Sequence, residues 1–248
     1  MVFRLGAGEL LVGRTEFCRY PPQARGIPSV GGLLNPDYER MVALQPDVVL
    51  LLPNPDMERK LQELGLAPVS LPDETVEDIL ASLWKLGRLL HREERAEAVI
   101  RGIQDTLNWV RQQTAGKPPV RALLVVGREA GSLRGLYAAG KTTYLSQILE
   151  RCGGKNVFED VPLRYFDVSK EDLLVRDPEY ILEFRILDGE ATGEAVSRLK
   201  KDWEALPSLR AVRTGKIYLF TERYFLIPGP RIAQIALALY HTLHGGTP

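Results

Sequence analysis

Short apolar runs alternate with amphipathic stretches in the first part of the chain. Apolar runs at residues 11–15, 48–52 and 68–71 predict strands, and the stretches at 36–43 and 55–64 predict helices. Parallel strands need a crossover connection, which is usually a helix, so this alternation indicates parallel pairing. The pattern therefore predicts a first lobe of the α/β class.

The longest helical pattern lies in the middle of the chain. Thr75 begins a sequence like a capping box, and apolar residues then recur at helical spacing over residues 76–90 and again over 96–110. Gly116 and Pro118 follow as stop signals. These two stretches together predict a helical connection that is long enough to join two lobes.

The last part of the chain repeats the alternation of strands and helices. The predicted strands lie at residues 122–126, 180–184 and 216–220, and the predicted helices at 142–151, 169–175, 191–203 and 230–243. The predicted fold is α/β, with two α/β lobes that contain parallel sheets and are bridged by a long connecting helix. The expected boundaries are 1–74 for the N-terminal lobe, 75–117 for the connecting helix and 118–248 for the C-terminal lobe.

Composition narrows the classes of function. The 248 residues carry 32 basic and 32 acidic side chains with no dense basic block, which argues against nucleic-acid binding. The longest apolar run is far shorter than the roughly 20 residues that cross a bilayer, so direct membrane insertion is not expected. We expect Cys18 and Cys152 to be free, and with three histidines in the chain we predict no metal site. No catalytic motif with a plausible nucleophile and base is present, so we predict no enzyme.

Several short motifs follow one another in a specific order. They are Val12-Gly13, Tyr20-Pro21-Pro22, Val30-Gly31-Gly32, Asn35-Pro36 with Glu39, Ala43-Leu44-Gln45-Pro46-Asp47-Val48-Val49, Cys152-Gly153-Gly154-Lys155-Asn156-Val157-Phe158, Val168-Ser169-Lys170-Glu171 and Pro228-Gly229-Pro230-Arg231-Ile232. In this order they resemble the cobalamin, haem and siderophore substrate-binding proteins of ABC importers, whose two lobes are joined by one long helix. The resemblance covers nearly the whole chain.

The resemblance implies a carrier without a cofactor. Such a protein binds a cobalamin-like corrinoid or an iron chelate between its lobes and delivers it to the transmembrane subunits of the importer. It works in the periplasm or at the cell surface. Members of the group open with a strand and a Ser-Pro turn that have no counterpart before Phe3. We expect the natural product to start upstream, with a leader or lipoprotein signal, since no signal peptide is recognisable in this chain.

A set of aromatic residues, one leucine and one cation on loops between strands and helices forms the expected ligand wall. Its members are Phe17, Tyr20, Leu33, Tyr137, Tyr165, Phe166, Arg223, Tyr224 and Phe225. Flat conjugated ligands suit aromatic walls, and an arginine suits peripheral carboxylates. The alternative for each aromatic residue is packing in the core.

The identity of the ligand stays open. The cobalamin-binding group shows tryptophan where this chain has Leu33 and Leu52. Haem is possible because a tyrosine oxygen binds ferric iron, and Tyr20, Tyr137, Tyr165 and Tyr224 all fall on the candidate loops, although none stands out.

Two carboxylates are the expected docking residues. The resemblance places Glu39 and Glu171 on corresponding helices of the two lobes, where members present a carboxylate to arginines of the transmembrane subunits. The alternative is that both are solvated carboxylates, which the helix dipole favours near an N-terminus.

One literal motif offers a different function. Residues 135–142 satisfy the formula of a phosphate-binding P-loop, which suggests a nucleotide-binding enzyme that uses Gly140, Lys141 and Thr142. Residues 127–134 intervene between the preceding strand and the first glycine, whereas a working P-loop follows its strand directly. A third possibility is a lobe pair that acts only in protein contacts.

Overall fold

A computed structural model describes residues 1–187 and 192–245. The chain forms two compact units. The first unit contains Met1–Asp73 and Glu77–Arg101, and the second contains Glu74–Val76 and Gly102–Pro248.

The first unit contains a two-stranded parallel sheet flanked by helices. Its elements are α1 (Tyr38–Ala43), β1 (Val49–Leu51), α2 (Pro55–Glu63), β2 (Pro68–Ser70), α3 (Val76–Leu89) and the start of α4 (Glu93–Thr114). In the sheet, Leu50 pairs with Val69. Met41, Leu61 and Leu66 form a buried hydrophobic cluster in this unit. The predicted helices and the last two predicted strands of this lobe are confirmed.

The predicted strand at residues 11–15 is wrong. The segment before α1 folds as the 3-10 helices Val2–Leu5, Gly8–Leu10 and Pro22–Gly26. At residues 11–15 the structure has only an isolated bridge, in which Arg14 pairs with Ser29. Pro28 has no N–H group, which removes a ladder donor beside the bridge.

Two helices occupy the segment that we predicted to connect the lobes. Helix α3 ends before His91, which has a left-handed φ of 52°. The close packing of the two helices depends on Gly87, because a Cβ atom there would lie 2.4 Å from the Cβ of Ala96. Helix α4 passes from the first unit into the second between Arg101 and Gly102.

The second unit contains a larger sheet covered by helices. Its remaining elements are β3 (Val120–Gly127), β4 (Tyr137–Ala139), α5 (Tyr144–Arg151), β5 (Gly154–Asn156), β6 (Tyr165–Asp167), α6 (Lys170–Arg176), β7 (Tyr180–Phe184), α7 (Gly193–Lys201), α8 (Arg210–Arg213), β8 (Ile217–Phe220) and α9 (Ile232–His244). Strands β3 and β7 lie at its centre, and β7 and the middle of β3 are buried, as expected for parallel strands covered on both faces.

The second sheet is mixed, whereas we predicted parallel pairing. The strand order is β6-β4-β3-β7-β8, and β5 also pairs with β3. Strands β5, β7 and β8 extend the parallel part, but β4 pairs antiparallel with both β3 and β6. The sequence did not predict β4, β5 or β6, because three-residue strands contain too few positions to show a period.

The α/β class and the long predicted strands and helices of the second unit are confirmed. The first residue of the predicted helix at 191–203 lies outside the described residues, and its remainder is α7 followed by the 3-10 helix Asp202–Ala205. Within residues 1–187 and 192–245, no helix is both long enough and apolar enough to cross a membrane.

Candidate ligand-binding and docking surfaces

The two short antiparallel strands of the second unit carry a pair of tyrosines. Tyr165 on β6 lies opposite Ala139, so Tyr137 on β4 is its diagonal neighbour on the same face of the sheet. The two rings stack with centroids 6.2 Å apart and an interplanar angle of 24°. Tyr137 is exposed and Tyr165 is half-buried. We call Tyr137 and Tyr165 the tyrosine pair.

Phe166 points to the opposite side of β6, because side chains alternate along a strand. Its ring meets Phe158 edge to face at 5.1 Å and packs against the hydrophobic core of the second unit. Of the three predicted wall residues on β4 and β6, the structure therefore brings two together and separates Phe166 from them.

The three predicted wall residues after β8 lie on one 3-10 helix, and each of them has a different environment. Arg223 is exposed and forms no ion pair with the described residues. Tyr224 is half-buried, and burial raises the pKa of its phenol, which disfavours the phenolate that would bind ferric iron. Phe225 is 2% exposed and lies 4.7 Å from Phe220 in the core, so its predicted place in the wall is wrong.

In the first unit the predicted wall residues lie on loops. Phe17, Tyr20 and Leu33 are all more than half exposed. The amide of Glu16 donates to the carbonyl oxygen of Gly31 at 2.9 Å, which ties the two loops together. Gly32 lets Phe17 approach, since a Cβ atom at this position would lie 3.2 Å from the phenyl ring.

The two predicted docking carboxylates occupy equivalent places on short helices. Helix α1 is capped by Asp37, whose carboxylate accepts the amide of Arg40 at 2.9 Å. Helix α6 is capped by Ser169, whose hydroxyl accepts the amide of Asp172 at 3.0 Å.

Glu39 and Glu171 are each the second residue of the helix, and both are exposed. Neither forms an ion pair with another residue in the described part of the chain.

The segment that matches the P-loop formula does not form a phosphate-binding loop. Strand β4 lies in the middle of the motif, and its Ala138 and Ala139 are buried. The amide of Gly140 already donates to the carbonyl oxygen of Arg164 at 2.7 Å, and that of Lys141 donates to Val161. These amides therefore do not cradle an anion, and the alternative of a nucleotide-binding enzyme has no support in the structure.

A comparison with protein families decides the class of the molecule. Residues 1–224 match the family described as periplasmic binding protein. This chain is a member of the periplasmic binding protein family. The resemblance noted in the sequence is thereby confirmed.

Individual members of the family agree with this assignment. The vitamin B12-binding protein of Photorhabdus laumondii is 28% identical over 247 residues, which are 98% of this chain and 84% of that protein. The crystal structure of a periplasmic haem-binding protein from Pseudomonas aeruginosa is 26% identical, covers 100% of this chain and 89% of its own, and has a TM-score of 0.82. The periplasmic vitamin B12-binding protein of Vibrio cholerae shares the fold with a TM-score of 0.80, 23% identity and coverage of 98% and 91%.

This periplasmic binding protein also contains a buried ion cluster that the sequence analysis missed. The guanidinium of Arg128 lies 3.1 Å from the carboxylate of Glu183, and both side chains are almost inaccessible to solvent. Arg128 also contacts Asp202 at 2.7 Å, and the indole N–H of Trp203 donates to Glu183 at 3.0 Å. We call these four residues the buried ion cluster.

The buried ion cluster fixes the loop that leads from β3 to the tyrosine pair. Arg128 donates to the carbonyl oxygen of Ser132 at 2.8 Å, and the amide of Gly131 donates to Asp202 at 3.1 Å. Buried charges require such complete pairing, since desolvation is expensive. The available signal was a single acidic residue, Glu183, inside an otherwise apolar strand.

The two cysteines lie in different environments. Cys18 in the first unit is exposed, and Cys152 in the second is buried. Burial raises the pKa of the Cys152 thiol to about 12, and its Sγ contacts the carbonyl oxygen of Ala236 at 3.2 Å. Among the residues that the structure describes, no group of three or more His, Cys, Asp or Glu side chains is arranged to hold a metal ion.

Proposed function

We propose that this chain is the substrate-binding component of an ABC importer and carries a cobalamin-like corrinoid. The observation that carries the proposal is the stacked tyrosine pair, with Tyr137 exposed and Tyr165 half-buried, in a family member whose similar relatives are named as vitamin B12-binding proteins. A corrin ring is flat and conjugated, and aromatic side chains contact such a surface well.

The ligand-contacting residues in this proposal are those that the structure leaves accessible. In the second unit they are the tyrosine pair, Tyr224 and the cation Arg223, and in the first they are Phe17, Tyr20 and Leu33. Each unit therefore presents one set of accessible residues that could contact the ligand. The guanidinium of Arg223, which has no ion-pair partner among residues 1–187 and 192–245, suits amide oxygens or carboxylates at the edge of a macrocycle. Phe166 packs against the core of the second unit and Phe225 lies within it, so the proposal does not place them in contact with the ligand.

Delivery to the transmembrane subunits is the second part of the proposal. Glu39 and Glu171 are exposed and unpaired within the described residues, so a partner can approach them without breaking an ion pair. Exposed charge pairs give orientation and steering more than affinity, which suits a carrier that must dock and leave. The protein then acts outside the cytoplasm, as its family name indicates.

Haem is the second candidate ligand. It is favoured by the 26% identity to a periplasmic haem-binding protein and by the accessible phenol of Tyr137. A haem carrier of this kind would show a visible absorption band that Tyr137→Phe alters, whereas stacking on a corrin would survive that substitution.

Ligand titration of the purified chain tests the proposal. A ligand that binds only the native state raises its melting temperature, and the probes are cyanocobalamin, hemin, ferrichrome and magnesium-ATP. We expect a shift with cyanocobalamin. A shift with hemin alone would replace the corrinoid by haem, and no shift with any chelate would overturn the proposal.

A variant pair identifies the site. Tyr137→Ala combined with Tyr165→Ala is expected to weaken cyanocobalamin binding by about 5- to 150-fold, since each aromatic contact contributes roughly 0.5–1.5 kcal/mol. The matched control is Tyr218→Ala, which breaks another stacked pair of the same unit, Tyr180 and Tyr218, with centroids 5.9 Å apart. Equal losses in the two variants would contradict a binding role for the tyrosine pair.

A further inference from the structure

A groove in the first unit lies outside the candidate ligand wall. Its lining comes from β2, the end of α3 and the turn that leads into α4, and its volume is about 550 Å³. Small-molecule sites in proteins commonly enclose roughly 300–1,000 Å³. We call it the Trp84 groove, and the residues that line it are Val69, Trp84, Lys85, Arg88, Leu89, His91 and Glu93. All of them belong to the first unit.

The groove contains an aromatic ring that the core does not use. Helix α3 buries Ile79, Leu83 and Leu86, whereas Trp84 is 43% exposed. No other ring within residues 1–187 and 192–245 contacts the Trp84 indole. Val69 and Leu89, which line the same groove, are half-buried and add apolar surface. A planar apolar group that enters the groove therefore finds an accessible indole to stack on.

The lining of the groove also carries more positive than negative charge. Among its described residues Lys85 and Arg88 are cations, and Glu93 is a carboxylate. The amino group of Lys85 donates to the carbonyl oxygen of Ser70 at 2.9 Å, which holds it at the end of β2. Arg88 is exposed, and its guanidinium forms no ion pair or hydrogen bond with residues 1–187 and 192–245. Arg88 is therefore available to an anion.

The turn between α3 and α4 fixes one edge of the groove. The amide of His91 donates to the carbonyl oxygen of Arg88 at 3.3 Å, and that of Arg92 donates to Gly87 at 2.7 Å. These two bonds form a Schellman motif, whose left-handed position usually carries glycine. Here that position carries His91, with a φ of 52°, and its side chain lines the groove. Because the turn is already fixed, ligand binding requires little ordering at this edge.

We propose that the Trp84 groove is a second binding site, which takes an organic anion with a planar aromatic body. The ring stacks on Trp84, and the acid group pairs with the guanidinium of Arg88. Arg88 lies four residues after Trp84, so both side chains stand on the same face of α3. The inference does not rest on the proposed function, because no residue of the groove belongs to the predicted ligand wall.

Both parts of this ligand are needed. An inorganic anion would meet two exposed cations in water, where such pairs contribute little. An uncharged ring would gain the stacking contact but would leave Arg88 without a partner. A ligand that combines a ring with an acid group uses the indole and the guanidinium together.

Nuclear magnetic resonance of the tryptophan indoles tests the proposal on the full chain. The chain has three tryptophans, so its indole N–H groups give three signals, and Trp84→Phe identifies the one from Trp84. Titration with naphthoate is expected to shift the Trp84 signal until the site is saturated. Trp109 is the matched control, because it lies outside the groove and is also 43% exposed. Equal shifts of both signals would overturn the proposal, since they would show stacking on any accessible indole.

The charge of the ligand is tested with naphthamide, which keeps the rings and lacks the carboxylate. The wild type is expected to bind naphthoate more tightly than naphthamide by about threefold or more. Arg88→Gln should remove most of this preference. Arg40→Gln, which changes an exposed arginine of α1 outside the groove, should keep it. A preference that survives in Arg88→Gln would contradict the pairing of the acid group with Arg88.

Two further measurements decide the class of the ligand and the place of the site. Decanoate carries the same acid group on a flexible chain, and decanoate binding as tight as that of naphthoate would rule out the aromatic class. The variant with Tyr137→Ala and Tyr165→Ala should bind naphthoate as the wild type does, because the tyrosine pair belongs to the second unit. Loss of naphthoate binding in that variant would move the site to the tyrosine pair and overturn the inference. Failure of cyanocobalamin to bind would overturn the proposed function alone.

Discussion

The two units present their candidate ligand surfaces by different means. In the second unit the tyrosine pair stands on paired strands of a six-stranded sheet, and the buried ion cluster holds the loop that leads to β4. In the first unit Phe17 and Leu33 stand on loops joined by an isolated bridge and a few backbone hydrogen bonds. Strands hold a side chain more exactly than loops do, and loops adapt more readily. The comparison indicates that the second unit supplies a fixed surface and the first an adjustable one.

Breaking the buried ion cluster of the second unit is expected to cause the largest loss in the free energy of unfolding. Arg128→Met would remove one cation from between the carboxylates of Glu183 and Asp202, and Arg185 at 3.2 Å from Glu183 would balance only one of these two charges. Loss of one partner of a buried pair destabilises by roughly 3–5 kcal/mol. We expect a loss of this size in the free energy of unfolding, measured by urea denaturation.

The matched control is an exposed pair in the same unit. Arg210 lies 2.6 Å from Glu179, and its side chain is 54% exposed. Arg210→Met should cost about 0–1 kcal/mol, because solvent screens this pair. Similar losses in the two variants would show that the buried ion cluster is not what makes the second unit rigid.

The first unit depends on a glycine rather than on charge. Gly31 has a left-handed φ of 83°, and a Cβ atom there would lie 2.4 Å from the carbonyl oxygen of Asn35. Gly31→Ala is expected to lower the free energy of unfolding by about 1–3 kcal/mol and to displace the loop of Phe17. Urea denaturation and the near-ultraviolet circular dichroism of the aromatic residues would record both effects.

Gly6 provides the control for the glycine prediction. Its φ is 73°, but no atom lies within 4 Å of the position a Cβ would take. Gly6→Ala therefore carries the backbone penalty without the clash, and its loss should stay near 1 kcal/mol. A loss at Gly6 equal to that at Gly31 would mean that the Asn35 contact does not constrain the loop.

The difference between the units also explains what the sequence could predict. Long helices and the buried strands β3, β7 and β8 have enough positions to show a period, and they were predicted nearly to the residue. Strands β4 and β6 have three residues each, and their antiparallel pairing depends on chain segments that are distant in sequence. No local pattern specifies that pairing.

The site residues show the same limit. Tyr224 and Phe225 are neighbours with similar side chains, yet one is half-buried and the other lies in the core. Which of them faces outward depends on the turn of one 3-10 helix. Arg128 and Glu183 are separated by 55 positions, so their pairing became visible only in three dimensions. The glutamates of α1 and α6 were singled out by the family resemblance, and the structure places both at the exposed start of a capped helix.

An exposed charge pair of the second unit gives the smallest expected effect. Hydrogen bonds from Arg176 to the carboxylate hold the pKa of Asp160 below its ordinary value of 3.8. Because the folded-state pKa is lowered, the pair stabilises the native state above pH 3.8 and loses this effect as the pH falls through the folded-state pKa.

Asp160→Asn should therefore flatten the dependence of stability on pH below that value. Urea denaturation at a series of acidic pH values measures the slope, and Arg176→Lys, which keeps the charge but not the two-pronged contact, should give an intermediate slope. Identical slopes in the wild type and Asp160→Asn would show that this contact adds nothing to the rigidity of the second unit, and that its buried ion cluster and sheet account for the contrast with the first.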